Sequence, residues 1–203
     1  EDQYESLARS TDLYTKAIEP WASKIAWQMI SAVSSKNKKD WASLSGIIGS
    51  AAASIAKNDP AAGLLRERHA AQVALIKTMP PEAADRAKQL STEVYMQGRR
   101  AEEAAAMIAD STGVTRSRAN VIARTETSKT NHDISMARAT SIDIQKYSWQ
   151  TAQDEAVRET HAELQDQIFD IDNPPEIEGE GAHGPGDWIN CRCFPAFILD
   201  KYI

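Results

Sequence analysis

The chain has 203 residues, with 23 Lys and Arg against 29 Asp and Glu and a formal net charge of −6. At 42% hydrophobic and 26% charged it falls in the ordinary soluble range, which excludes a wholly disordered chain, a collagen and a disulfide-dense miniprotein. The length suits one domain or two small ones.

The longest uncharged stretch, Trp41–Ala56, is laced with Ser and Gly and falls short of the about 20 apolar residues that a membrane span needs. No membrane partner is expected. No charged, then apolar, then small-residue leader opens the chain. A start at Glu1 rather than Met reads as that of a piece of something longer.

Residues 1–112 read as helical almost throughout. Apolar positions recur at three- and four-residue spacing, as in Ala61, Leu64, Leu65, Val73 and Ile76, with His69 on the same stripe. Breaks are expected at Ser34–Lys39, Asn58–Pro60 and Pro80–Pro81, the last suiting a helix start. Four or five helices with short connections imply antiparallel packing. Gly113 is expected to end one helix and Thr115 to cap the next, which runs to about Ser141.

The period then changes. Tyr147–Thr151 reads as a strand, Asp154–Gln167 as a short helix and Ile168–Ile171 as a second strand. Pro174, Pro175 and the glycines between 179 and 186 mark a long loop, and Phe194–Leu199 is a closing strand. The fold class is therefore α-rich α+β: a helical region over 1–112, then a small α+β module over 113–203.

Charge divides the second half. Thr115–Trp149 is mildly basic, whereas Thr151–Asp187 carries a single base, Arg158, among many acids. Phosphate binding needs concentrated Lys and Arg, so sequence-specific nucleic acid is not an expected partner.

Three constellations could carry chemistry. On the long helix, Glu126 falls inside a stripe of Ala119, Ile122, Ala123, Thr130, Ile134 and Ala137, with Arg124, Thr127, Ser128, Asn131 and Ser135 opposite. A carboxylate there needs a partner; it is a structural carboxylate, a catalytic acid or base, or a partner contact. His161 shares an apolar stripe with Val157, Leu164 and Ile168, beside Asp154 and Arg158 as an i,i+4 acid–base pair. It is a packed core histidine, a metal ligand or a general base.

Cys191 and Cys193 are one residue apart, so a disulfide between them would be strained, and a reducing, cytoplasmic place of synthesis is expected. With His161 and His183 they would make a Cys2His2 set suited to zinc. The usual Cys-x2-4-Cys spacing is absent, and free Cys commonly serves as a small buried hydrophobe. No metal or other cofactor is the leading expectation.

The order Ala123-Arg124-Thr125-Glu126-Thr127, Asn131, Trp149 with Thr151 and Asp154, Val157-Arg158-Glu159-Thr160-His161, and Asn190-Cys191-Arg192-Cys193 resembles the phage Mu F-like head morphogenesis domain. The likeness covers roughly residues 85–203. After His161 the chain departs from the family's Leu-Asp-Gly-like turn with Ala-Glu-Leu-Gln-Asp-Gln.

The resemblance implies a minor capsid protein of a tailed phage or prophage that associates with the portal during head assembly and is packaged in few copies. Scaffold and major capsid protein are further partners it suggests. The helical first half would be the variable, partner-facing region. The protein would reside in the virion, and in the host cytoplasm during assembly. Some members carry fused toxin domains; none is expected in a sequence that ends soon after Cys193. The motif does not itself imply an enzyme.

Physically, the shared residues are expected to form a brace with no catalytic member. Asp154 and Arg158 would fix the short helix, and Arg124 or Arg192 would reach carboxylates. Glu126 would take a hydrogen bond from Arg158 or from the backbone near Asn190. His161 and the thiols would pack beneath Trp149 or Trp188. The alternatives are a nuclease or ADP-ribosyltransferase-like enzyme using Glu126, Arg158 and His161, or a zinc-stabilised interaction module.

Overall fold

The computed structural model describes residues 2–77 and 113–202. The expected break and helix start at Pro80–Pro81 lie outside the described residues. Helix α1 spans Asp2–Ser43, α2 Ser45–Ile48, α3 Ser50–Lys57, α4 Ala62–Ile76 and α5 Gly113–Ser141. Strand β1 (Lys146–Gln150) is followed by the one-turn helix α6 (Glu159–Ala162). Strand β2 (Ile168–Asp170), the hairpin β3 (Glu176–Ile177) and β4 (Gly181–Ala182), and β5 (Phe194–Phe197) complete the order. This is the α-rich α+β class.

Four sequence expectations are corrected. Helix α1 does not break at Ser34–Lys39. Ala22, Ile25, Met29, Val33, Asn37 and Trp41 are all buried at helical spacing, so one continuous face holds the segment in register despite its polar composition. Helix α5 already includes Gly113, so Thr115 lies inside it and is not a cap. The span Asp154–Gln167 is helical only over Glu159–Ala162, because it must turn sharply at Gln153 and Asp166, where φ is +53° and +64°. Ile168 does not join the stripe of His161 but is 59% exposed.

Helices α1, α4 and α5 pack around Ala22, Ile25, Ala26, Met29, Val73, Ile76, Ile122 and Ala123. Glu19 meets Lys77, Ser23 meets His69 and Val33 lies near Ala61, so α1 and α4 run antiparallel. Gln72 meets Thr130 and Arg68 meets Asp133, so α4 and α5 are antiparallel as well. A second apolar cluster joins Trp41, Ile48 and Ile55 to Ala139, Ile142 and Ile144 at the end of α5, with Phe197 of β5 packed against it.

Strand β1 is the centre of an antiparallel sheet ordered β2-β1-β5. Its Tyr147 and Trp149 point into a third cluster with Ile177, Cys191 and Cys193, while Ser148 and Gln150 alternate to the other face.

Polar side chains stitch the helices between the apolar clusters. Arg138, 0% exposed, reaches Asp59 with Nε (3.2 Å) and Nη2 (2.5 Å), and donates from Nη1 to Asn37 Oδ1 (2.5 Å). Asn37 Nδ2 in turn donates to Asn131 Oδ1 and to Ser135 Oγ. Burial pushes the Asp59 carboxyl up, but the Arg138 guanidinium outweighs it and holds the group below its ordinary value.

A buried guanidinium without its carboxylate is an uncompensated charge. Asp59→Ala is therefore expected to cost about 3 kcal/mol, at the low end for breaking a buried pair because Asp59 is part-exposed, as read by urea unfolding at neutral pH. Because the folded-state pKa is depressed, this stabilisation is present above the ordinary aspartate value and fades as pH falls through the lowered one. Wild type and variant should converge in acid.

Candidate functional site

Helix α5 grips the loop before β5 from one side. Arg124 Nη1 donates to Asn190 Oδ1 (2.9 Å), the Asn190 N–H donates to Thr125 Oγ1 (2.9 Å), and Ser128 Oγ donates to the Cys191 carbonyl (3.2 Å). Asn190 takes φ +56°, a left-handed value that asparagine tolerates. The chain reverses there and continues with Cys191 and Cys193 both buried. Close packing by the preceding glycines keeps the loop on α5: a Cβ at Gly184 would lie 2.3 Å from the His132 ring. The same ring bonds the Pro185 carbonyl through Nδ1 (3.0 Å).

From the other side come α6 and the β3–β4 hairpin. His161, 1% exposed, stands edge-on to Trp149 with ring centroids 5.3 Å apart. Its Nδ1 is 3.5 Å from the Cys191 sulfur and 3.5 Å from the Cys193 sulfur. Its Nε2 lies 3.0 Å from Glu180 Oε2, which also accepts from His183 Nε2 at 3.0 Å. Arg158 Nε is 3.4 Å from the other Glu180 oxygen, and Arg158 Nη2 donates to the Ile189 carbonyl (2.7 Å). His183 stacks on Trp188.

The result is a buried core of His161, His183, Cys191 and Cys193 organised by one carboxylate. Burial alone would push the His161 imidazole down, but hydrogen bonds and charge from Cys191 and Glu180 outweigh it and raise its pKa. Burial likewise acts upward on Glu180, and the two histidines reverse it, so the carboxyl sits below its ordinary value. The hydrogen bond from Cys193 draws the Cys191 thiol down against the upward push of burial, and that same contact drives the Cys193 thiol up.

Several pairings expected from the sequence are replaced. Asp154 and Arg158 do not pair with each other. Asp154 instead holds Arg192 through Nη1 and caps the Ala156 N–H, while Arg158 goes to Glu180 and Ile189. Distance along the chain misleads here because Asp154 lies in a turn before α6, not in a helix with Arg158. Asn131 accepts a hydrogen bond from Asn37 of α1 (2.7 Å).

Glu126 takes no hydrogen bond from Arg158 or the Asn190 backbone. It is 5% exposed, its Oε2 has no hydrogen-bond partner among the described residues, and burial raises its pKa against the opposing pull of Arg68 and Lys129. Glu180 is hidden in the sequence among the acids of the C-terminal lobe. Its one local signal is the Glu180-x-x-His183 spacing in a glycine-rich turn.

A model of the family described as Phage Mu protein F like protein matches residues 86–195. An uncharacterized protein of Haemophilus influenzae is 37% identical over 132 residues, which cover 65% of this chain and 29% of that protein. The chain thus spans less than a third of the curated relative's length. No solved structure matches the chain.

The unpartnered Glu126 oxygen predicts that removing the charge helps. Glu126→Gln should raise stability at neutral pH by about 1 kcal/mol, because the amide keeps the oxygen but carries no charge to strip of water. The folded-state pKa is raised, so the cost is borne above that value and relieved as the carboxyl protonates below it. Thermal melts should show the advantage of the variant shrinking as pH falls into the range where Glu126 protonates. A variant less stable than wild type at every pH would show that the carboxylate is structurally needed.

Proposed function

The chain belongs to the Phage Mu protein F like family, and on that footing we propose that it is a structural head morphogenesis protein of a tailed phage or prophage. It works by contact with other head proteins: it associates with the portal during assembly and is packaged in the virion. Scaffold and major capsid protein are secondary partners in this reading.

The observation that carries the non-enzymatic part is the disposition of the three side chains an enzyme would need. Arg158 and His161 are spent on Glu180, and His161 is almost wholly buried. No hydrogen bond or ion pair among the described residues joins Glu126 to either. An open groove between α1, α5 and the C-terminal loop is lined by Lys36, Asp40, Asn131, His132 and Arg192, and not by Glu126, Arg158 or His161. A general acid or base must come within hydrogen-bond reach of a substrate, and this triad offers no shared face to one.

The helical half supports a contact role. Small side chains such as Ala22 and Ala26 line the packing of α1 against α4 and α5, and Trp27 and Ile47 remain exposed on the first two helices. No described helix is long and apolar enough to cross a membrane.

Affinity-tagged chain, isolated from cells producing the phage, is expected to bring down portal protein, and purified virions are expected to contain the chain by mass spectrometry. Virions without the chain, together with pull-downs free of portal protein, would overturn the reading.

A further inference from the structure

The structure assigns a zinc(II) site to His161 Nδ1, Cys191 Sγ and Cys193 Sγ. The three donor atoms lie within 4.8 Å of one another on buried residues. In a tetrahedral site, Zn–S bonds of about 2.3 Å and Zn–N bonds of about 2.0–2.1 Å place sulfur and nitrogen about 3.6 Å apart. The two observed separations from His161 Nδ1 are both 3.5 Å. Both sulfur–nitrogen separations thus match donors that share one tetrahedral ion.

The one-residue spacing, which counted against a metal in the sequence, is accommodated by the local backbone. In extended chain, residues i and i+2 project to the same side, and Cys191 and Cys193 both turn inward while Arg192 between them reaches out to Asp154. The Cys193 N–H points back to the Cys191 sulfur at 3.4 Å, a donor that favours the thiolate a metal requires.

The surroundings of His161 match what a ligating histidine needs. Its second nitrogen, Nε2, faces the Glu180 carboxylate, which fixes the ring with Nδ1 turned toward the sulfurs. Glu180 is in turn held by His183 and Arg158. Carboxylate, histidine and metal in series is the outer-sphere arrangement that orients such a ligand.

Two thiolates and an imidazole are soft and borderline donors that select zinc over magnesium or calcium. Two thiol protons leave to solvent as the two Zn–S bonds form, so the divalent ion and two thiolates make a neutral unit, suited to a buried location. The ion ties the loop before β5 to α6 at the point where the C-terminal module closes.

A second donor group, His161, Glu180 and His183, meets on the other side of the same ring. His161 turns Nε2 to Glu180 and Nδ1 to the sulfurs, so this group is assigned to orientation and the sulfurs to the metal.

The test is metal analysis of the full chain purified with zinc present and then dialysed, followed by cobalt(II) substitution. About one zinc per chain is expected, with visible bands of tetrahedral cobalt and a thiolate-to-cobalt charge-transfer band in the near ultraviolet. The Cys191→Ser/Cys193→Ser protein should lose both. Glu180→Gln should keep the charge-transfer band but bind about 10- to 100-fold more weakly.

Wild-type chain that holds no zinc, and shows no thiolate charge transfer on cobalt titration, overturns the assignment without recourse to any variant. So does metal binding that survives loss of both cysteines but is abolished by His183→Gln. That result would place the ion on Glu180 and the histidines.

Discussion

Everything in this fold depends on a polar helix being buried on more than one side. Helix α5 presents Ile122, Ala123 and Ile134 to α1 and α4, yet Thr125, Thr127, Thr130, Ser135 and Arg138 are buried as well. Most of these polar groups are met, as burial demands, although the Thr127 hydroxyl has no hydrogen-bond partner among the described residues. Gln72 bonds Thr130, Asn37 bonds Ser135, and Asp59 with Asn37 surrounds Arg138. On the remaining side Arg124, Thr125 and Ser128 bond the loop that carries the cysteines. One helix therefore registers the helical half and the C-terminal module against each other, and the hydrogen bonds fix a unique alignment that apolar contact alone would leave free to slide.

What could be read from the sequence follows from this. Periodicity identified the Glu126 stripe of α5 and the strand expected at Tyr147–Thr151, which forms one residue earlier at Lys146–Gln150, because both are set by local spacing. It did not reveal that the opposite face of α5 is also covered, since Ser128 and Ser135 are as compatible with water as with the Cys191 carbonyl and Asn37. The break expected at Ser34–Lys39 failed for the same reason: Asn37 reads as polar punctuation until Asn131, Ser135 and Arg138 are known to surround it.

The choice of ion-pair partner was the least legible level. Asp154 and Arg158 have ideal helical spacing, but the chain before Glu159 is a turn, and each finds a better partner far along the sequence. Glu180 shows the converse. A carboxylate in an acidic, glycine-rich stretch looks solvated, and only the fold shows three bases converging on it. The short motif pieces that resembled a known family are scattered over some seventy positions (124–193) and gather around one loop. Arg124 and Thr125 hold Asn190, Asp154 holds Arg192, and His161 faces Cys191 and Cys193.

The pairing of Trp149 with Pro195 bears on how the protein behaves in a crowd. Trp149 gives its own N–H and carbonyl to the β2 side, to Gln167 and Asp166. Opposite it, Pro195 therefore turns its backbone outward, along the free margin of the sheet. That margin lacks a donor at the very residue where an incoming strand would seek one. Copies held close together can touch through their helices without fusing sheet to sheet, and the margin is protected from aggregation by the imino acid itself.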